Sequence, residues 1–178
     1  MDIIENLIKY TEYSNGDSSK ECSLEYEDID IKNMSFSEYD LNNSSFCGVN
    51  FFLCDFSVVY LSGSNFGGSS FFDCIFRGNE IKKADWDDIT FERTEISFME
   101  AFRTSFMFGK FIDTKFSKCY INRCLFIDSE LKNVDFIECT IIDTDFTKCK
   151  FENVHFINCK FENVVFDKNY KEQEVVFC

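Results

Sequence analysis

The residues of this 178-residue chain that could do chemistry are ten cysteines, the single histidine His155 and a set of closely spaced acids, Asp85, Asp87, Asp88, Glu92 and Glu95. Thiols and imidazole would serve a metal or redox centre, and paired carboxylates would serve acid–base hydrolysis. The spacing favours none of these. No CxxC pair occurs, and one histidine cannot furnish an imidazole zinc site or more than one His-dependent triad. Cys54, Cys74, Cys119, Cys124, Cys139, Cys149 and Cys159 each stand two residues before a large apolar residue. They read as reduced core thiols. Cys119, Cys139 and Cys159 would form a straight ladder about 4.8 Å apart, which offers neither tetrahedral nor disulfide geometry. The run GSNFGGSS lacks the lysine and following helix of a phosphate loop. No catalytic residue, metal ligand or cofactor is therefore expected, and the chain does not read as an enzyme.

These residues are mounted on one long pattern. From Tyr26 to Phe166 every fifth residue is large and apolar, 29 positions without an insertion or deletion, and only Ala101 is small. This lane takes 18 of the 24 phenylalanines, among them Phe36, Phe56, Phe76, Phe116, Phe136 and Phe156. A period of five drifts around an α-helix and changes face at each step of an extended strand. It points inward consistently only if the chain turns once per five residues. Four such turns close a square coil of 20 residues, and coils stack at strand spacing, ~4.8 Å. Two residues before the lane runs a second row of small or slender residues, Ser44 to Cys74 and again Thr104 to Val164. One large and one small inward side chain per wall suits a narrow, close-packed shaft.

Segments such as DLNNS (40 to 44), NVDFI (133 to 137) and NVHFI (153 to 157) resemble the pentapeptide-repeat family, whose unit is written A(D/N)LXX. The resemblance covers about four fifths of the chain, with Phe preferred to Leu in the lane and Cys, Val or Thr to Ala beside it. It implies an all-β solenoid, a right-handed quadrilateral β-helix. About seven coils are expected in residues 23–166, a rod roughly 35 Å long, with residues 1–22 as a cap and loop and 167–178 as a tail. The absence of proline fits a backbone whose NH groups are committed to neighbouring coils.

Ile3, Ile4, Leu7 and Ile8 would share one face of a short N-terminal helix that covers the first coil. Gly48, Gly63, Gly67, Gly68 and Gly78 would take corners that need a positive φ. At Ala101, either Phe98 or Phe102 swings inward through a bulge, or Met99 fills the space. After Phe166 the polar run DKNYKEQE leads to Val175, Val176 and Phe177, which either cap the last coil or leave it to pair end to end with a second copy. The acidic N-terminus and its short apolar run fit neither a signal peptide nor a membrane span, so a cytoplasmic location is expected.

The net charge is −14, and residues 1–30 and 31–100 contribute −7 and −6 of it. Such a surface repels phosphates and argues against direct nucleic-acid binding. The candidate partner surface comprises Asp85, Asp87, Asp88, Glu92 and Glu95, with Phe52 and Phe72 stacked one coil apart. On the wall bearing Lys83, Arg103 and Arg123, the neighbouring Glu80 and Glu100 suggest local salt bridges. These features suit a non-catalytic scaffold that docks a protein. The family resemblance implies an alternative, since its quinolone-resistance members mimic DNA and bind DNA gyrase. The projecting loops and the hydrophobic dimerising helix of those proteins have no counterpart in this sequence.

Overall fold

The structure is a computed structural model, and it describes residues 3–16, 22–168, 170 and 173–178. Residues 17–21 of the cap and loop expected over 1–22 lie outside these, as do three residues of the polar run after Phe166.

The chain resolves the five-residue spacing by turning once per pentad. Parallel backbone partners lie one coil, 20 residues, apart: Glu25 faces Ser45, Asn50 faces Ser70, Glu100 faces Tyr120 and Glu130 faces Lys150. The result is a β-solenoid of about eight turns with one short N-terminal helix. Most strands are three residues long, such as Glu25–Glu27; Glu130–Ile137 and Lys150–Ile157 run through a corner as eight-residue strands. We number the walls by their inward residues: the first begins at Tyr26, the second at Ile31, the third at Phe36 and the fourth at Leu41.

Every lane residue from Ile31 to Phe156 is buried. The third wall stacks Phe36 on Phe56 at 4.5 Å and Phe56 on Phe76 at 4.7 Å between ring centroids, the ring planes nearly parallel. The first and second walls carry similar columns, as in Phe106 on Phe126 at 4.9 Å and Phe51 on Phe71 at 4.7 Å. The fourth wall is aliphatic from Leu41 to Ile141, because three ring columns leave a close-packed shaft only a slimmer fourth. Lane burial fails at the top of that wall, where Phe161 is 39% exposed; its strand Lys160–Glu162 is the last of its sheet.

Ala101 sits in the same coil as Trp86, the largest side chain of the shaft, and both are buried. Met99, two residues before Ala101 in the small row, also lies inside the shaft, with 2% of its surface exposed. No bulge forms: Glu100–Phe102 keeps register with both adjacent coils, Phe98 points out, and Phe102 lies half-buried on the outer face.

The corners differ from the glycine-based expectation. The residue two after the lane is left-handed almost throughout, at 23 non-glycine positions from Asp28 (φ 51°) to Asn163 (φ 52°). Gly48, Gly63, Gly68 and Gly78 follow the rule, whereas Gly67, one residue after the lane, has no positive φ. A backbone hydrogen bond to the coil above fixes most of these corners, for example Leu53 N donating to Phe72 O at 2.9 Å. Repetition of that bond enforces a conformation that most side chains disfavour.

Helix Ile3–Ser14 covers the first coil, but through Leu7 and Tyr10. Ile4 and Ile8 are each 46% exposed, because the buried face runs Ile3, Leu7, Tyr10 and turns them outward. Tyr10 donates its hydroxyl to Asn42 O, and Thr11 Oγ1 accepts from Asp40 N at 3.1 Å, which fixes the helix on the coil. At the other end, Val175–Phe177 pairs in parallel with Lys150–Ile157, placing Phe177 on Phe156 at 5.1 Å. The offset is 21 residues instead of 20, and this rung takes the solenoid past the seven coils expected.

Candidate functional site

The structure divides the candidate acids and aromatics among three walls. Asp85, Asp87 and Asp88 lie on the first, Phe52, Phe72 and Glu92 on the second, and Glu95 on the third. Phe52 and Phe72 do stack, at 5.0 Å, and Lys32 Nζ sits 4.9 Å from the Phe52 ring centroid. Both rings are half-buried. Glu92 is taken up locally: Arg93 pairs with it and, at 2.8 Å, with Asp73 one coil below. The Arg93 guanidinium holds the Asp73 carboxyl below its ordinary value.

Once each outward residue is assigned to its wall, the charge proves unevenly spread. From Glu25 to Lys148, the first wall presents Glu25, Glu27, Asp28, Asp85, Asp87, Asp88, Asp128 and Asp145 against Lys148 alone. The second and fourth walls are nearly balanced, and most ion pairs lie there: Lys32–Asp30, Lys132–Glu152 and Lys150–Glu130 on the second, Lys82–Glu80 and Arg123–Asp143 on the fourth. On the first wall Lys148–Asp128, at 3.5 Å, is the one ion pair among the described residues. The acidic triads Glu25, Glu27, Asp28 and Asp85, Asp87, Asp88 thus stand without cations.

The two triads are three coils apart, ~14 Å at strand spacing. Between them the wall is nearly bare, with Ser45, Cys47, Gly48, Asn65, Gly67 and Gly68 outward. Gly48 has φ +65°, and a Cβ there would fall 2.5 Å from Asp28 Oδ1, so any larger residue would require the Asp28 carboxylate to move aside. Above the second triad the same wall turns apolar, with Met107, Phe108, Leu125 and Ile127; Phe108 is 47% and Leu125 38% exposed.

The triad acids are not equivalent. Asp85 accepts from Asp87 N at 3.2 Å, a local turn that holds the loop of that coil. Asp87 accepts from Ser105 Oγ and, at 2.9 Å, from Met107 N, so it clips two coils together. Asp88, at a left-handed corner, is left facing solvent. On the fourth wall the expected pairs of Lys83 with Glu80 and Arg103 with Glu100 do not form. Lys82 takes Glu80 at 2.9 Å, and Arg103 lies 5.1 Å from the Phe102 ring centroid, since an outward residue at the corner points away from the strand residue three before it.

The seven cysteines of the row beside the lane point inward, six of them buried and Cys159 half-buried. Each donates to backbone carbonyls, as Cys139 does to Phe116 O at 3.5 Å. Among the described residues no group of three His, Cys, Asp or Glu could hold a metal ion. His155 pairs with Asp135 one coil below at 2.9 Å, on the outer face of the third wall. Two features escaped a reading of residue types alone: the unpaired state of the first wall's acids and the left-handed corners. Sorting residues by their position in a 20-residue cycle would have revealed the first.

Fold and surface together define a class, the β-solenoids of five-residue units whose variation lies in outward side chains. A profile described as pentapeptide repeats (eight copies) matches residues 40–78, and one described as pentapeptide repeat region matches residues 99–173. The chain belongs to the pentapeptide-repeat family. Among solved structures it is similar to HetL, a pentapeptide repeat protein involved in heterocyst differentiation regulation in the cyanobacterium Nostoc. That match has a TM-score of 0.58 at 9% identity and covers 88% of this chain and 77% of HetL. A second is trypsin-treated QnrB1, a plasmid-mediated fluoroquinolone resistance protein, with a TM-score of 0.43 at 16% identity over 83% of this chain and 93% of that one. A search of curated proteins found no match.

Proposed function

We propose that the protein is a non-catalytic interaction module whose first wall docks a basic, partly apolar segment of a partner protein. The observation that carries this is the collection of carboxylates without cations on one wall of a rod whose other walls are largely charge-balanced. Unpaired acids at fixed spacing attract a cationic partner over the Debye length, ~8 Å at physiological salt. The bare strip between the triads is about one helix wide, ~10 Å once side chains are allowed for. The apolar residues above it, Met107, Phe108, Leu125 and Ile127, supply the area that a purely electrostatic contact lacks.

The test uses a lysine-rich amphipathic helical peptide as the probe. Binding should weaken steeply with salt and fall by about tenfold when Asp28 and Asp88 are both changed to Asn, two rim charges. Glu152→Gln, on a balanced wall, should leave it unchanged. Equal binding by all three proteins would overturn the reading.

A narrower form of the same reading makes the partner DNA gyrase, with the acidic wall standing in for DNA. The net charge of −14 favours it. The neutral strip between the triads favours a shorter basic element over a duplex-binding groove. Supercoiling by purified gyrase, with and without a quinolone, tests it: no effect at micromolar protein removes it.

A further inference from the structure

We propose that the third wall carries a slot for one planar aromatic side chain of a partner protein, recognised together with a carboxylate beside it. This rests on the reading of the rod as an interaction module and adds a second recognition element, away from the acidic wall. The corner row of the third wall runs Val58, Gly78, Phe98, one residue per coil. Gly78 supplies no side chain, so the row has a gap one coil high with Val58 below and Phe98 above. A Cβ at Gly78 would meet only Val58 Cγ1, at 3.9 Å. The space, about 300 Å³, is lined by Ser57, Val58, Arg77, Gly78 and Phe98.

The height of the gap matches a ring. Inside the shaft of this same wall, rings on adjacent coils stack at 4.5 to 4.7 Å. A ring inserted above Gly78 would lie one such step from Val58 and one from Phe98, repeating outside the shaft the packing found inside it. Offset stacking of this kind adds affinity beyond the area it buries.

The walls of the slot are residues that the fold does not favour at these positions. Val58 has φ 59° and is 67% exposed, and Phe98 has φ 53° and is 49% exposed. A β-branched or bulky residue in the left-handed region carries strain, as Leu53 and Phe108 do at corners of other walls; only here do two such residues flank a glycine in one row. Neither side chain buries enough to offset the strain. The rim is cationic on an acidic protein: Arg77 and Lys118 lie 5.9 Å and 5.7 Å from the Phe98 ring centroid. Arg77 forms no ion pair among the described residues, whereas Lys118 reaches Glu138 at 3.7 Å. An aromatic residue entering the slot would therefore place a neighbouring carboxylate against Arg77.

The probe is the blocked tripeptide Glu-Trp-Glu, followed by saturation-transfer NMR from the protein to the indole protons. Saturation is expected with the wild type and should drop about fivefold in Gly78→Asn, the equivalent of one lost aromatic pair. Asparagine accepts a positive φ, so this variant folds, as its circular dichroism should confirm. The tripeptide Lys-Trp-Lys should give weaker saturation than Glu-Trp-Glu. Absence of saturation in the wild type, full retention in Gly78→Asn, or equal response to the two peptides would each overturn the proposal. The Asp28→Asn, Asp88→Asn protein should bind Glu-Trp-Glu as the wild type does, which separates failure of the slot from failure of the acidic wall.

Discussion

Replacing Val58 with asparagine should stabilise the protein while removing one wall of the slot. The left-handed conformation costs a non-glycine residue roughly 1–2 kcal/mol, and more for a branched side chain. Val58 cannot relax it, because its N–H donates to Arg77 O at 2.7 Å and fixes the corner. Against this, valine buries only a third of its surface, being 67% exposed. Losing that contact costs about 0.5–1 kcal/mol on the scale for a fully buried side chain. The net gain is about 0.5–1 kcal/mol, or some 2–3 °C in melting temperature for a chain of this size. The single tryptophan, Trp86, is buried, so its fluorescence reports the melt. Val58→Ala provides the control: alanine keeps its Cβ and hence most of the steric conflict, and its melting temperature should not rise. A fall in melting temperature for Val58→Asn, or an equal rise for both variants, would refute the argument from strain.

Other consequences concern the shaft and its ends. Trp86 Nε1 donates to Ser64 Oγ at 3.0 Å, and Ser64 Oγ donates to Leu61 O at 2.7 Å. Ser64→Ala should therefore cost about 1–3 kcal/mol by stranding a buried indole N–H, and distinctly less in a Trp86→Phe background, as urea denaturation followed by circular dichroism would show. Burial pushes the thiols of Cys124 and Cys149 up to about 11 and about 12 from an ordinary 9.0. The unfolded chain then releases those protons first, so stability is intact below pH 9 and falls as pH rises towards 11 and 12. Urea midpoints at pH 8 and pH 10 should differ in that sense, and by less in Cys124→Val. Phe177→Ala should bare the Phe156 ring and cost about 1–2 kcal/mol. Removing Val175–Phe177 altogether should expose the edge of Lys150–Ile157 and produce concentration-dependent association in light scattering; a scattering mass unchanged from that of the intact protein would contradict the role assigned to the tail.

The fold was legible because its signal is redundant. Phe36 alone says little, but recurrence at Phe56, Phe76, Phe116, Phe136 and Phe156 leaves one geometry in which all six are hidden, and all are buried. The resolution at Ala101 needed the coil as its unit. Seen along the chain, the neighbours of Ala101 are Phe98 and Phe102; seen across the shaft, its partners include Trp86, fifteen residues earlier, and packing is settled among residues of one layer. The corners were hidden for another reason. Glycine announces a positive φ, whereas Lys83, Arg93 and Phe98 adopt one only because hydrogen bonds to the next coil require it. The candidate surface was half legible: Asp85, Asp87 and Asp88 do share a wall, while Glu92 and Glu95 lie around successive corners and Glu92 is neutralised by Arg93.

A 20-residue cycle separates the two tasks that a sequence usually has to perform with the same residues. Inward positions set stability through burial and stacking, and a change there is felt as a cavity or an overpacked layer. Outward strand positions touch solvent and their counterparts one coil away, so a surface substitution there changes stability within about 0.5 kcal/mol. Each outward position belongs to a row that runs the length of the rod, and a row can be rewritten without disturbing the shaft. On the first wall the row that reads Asp28, Gly48, Gly68, Asp88, Phe108 changes from acidic to bare to acidic to apolar in five coils, while the buried residues beside it remain aromatic. The corner rows are the exception to this freedom, since a left-handed φ is imposed there whatever the residue. Asparagine, aspartate and glycine satisfy it at low cost. Leu53 and Phe108 show that bulky residues also stand at corners of the second and first walls; what the third wall adds is Gly78 between Val58 and Phe98, an empty step flanked by two large side chains in one row.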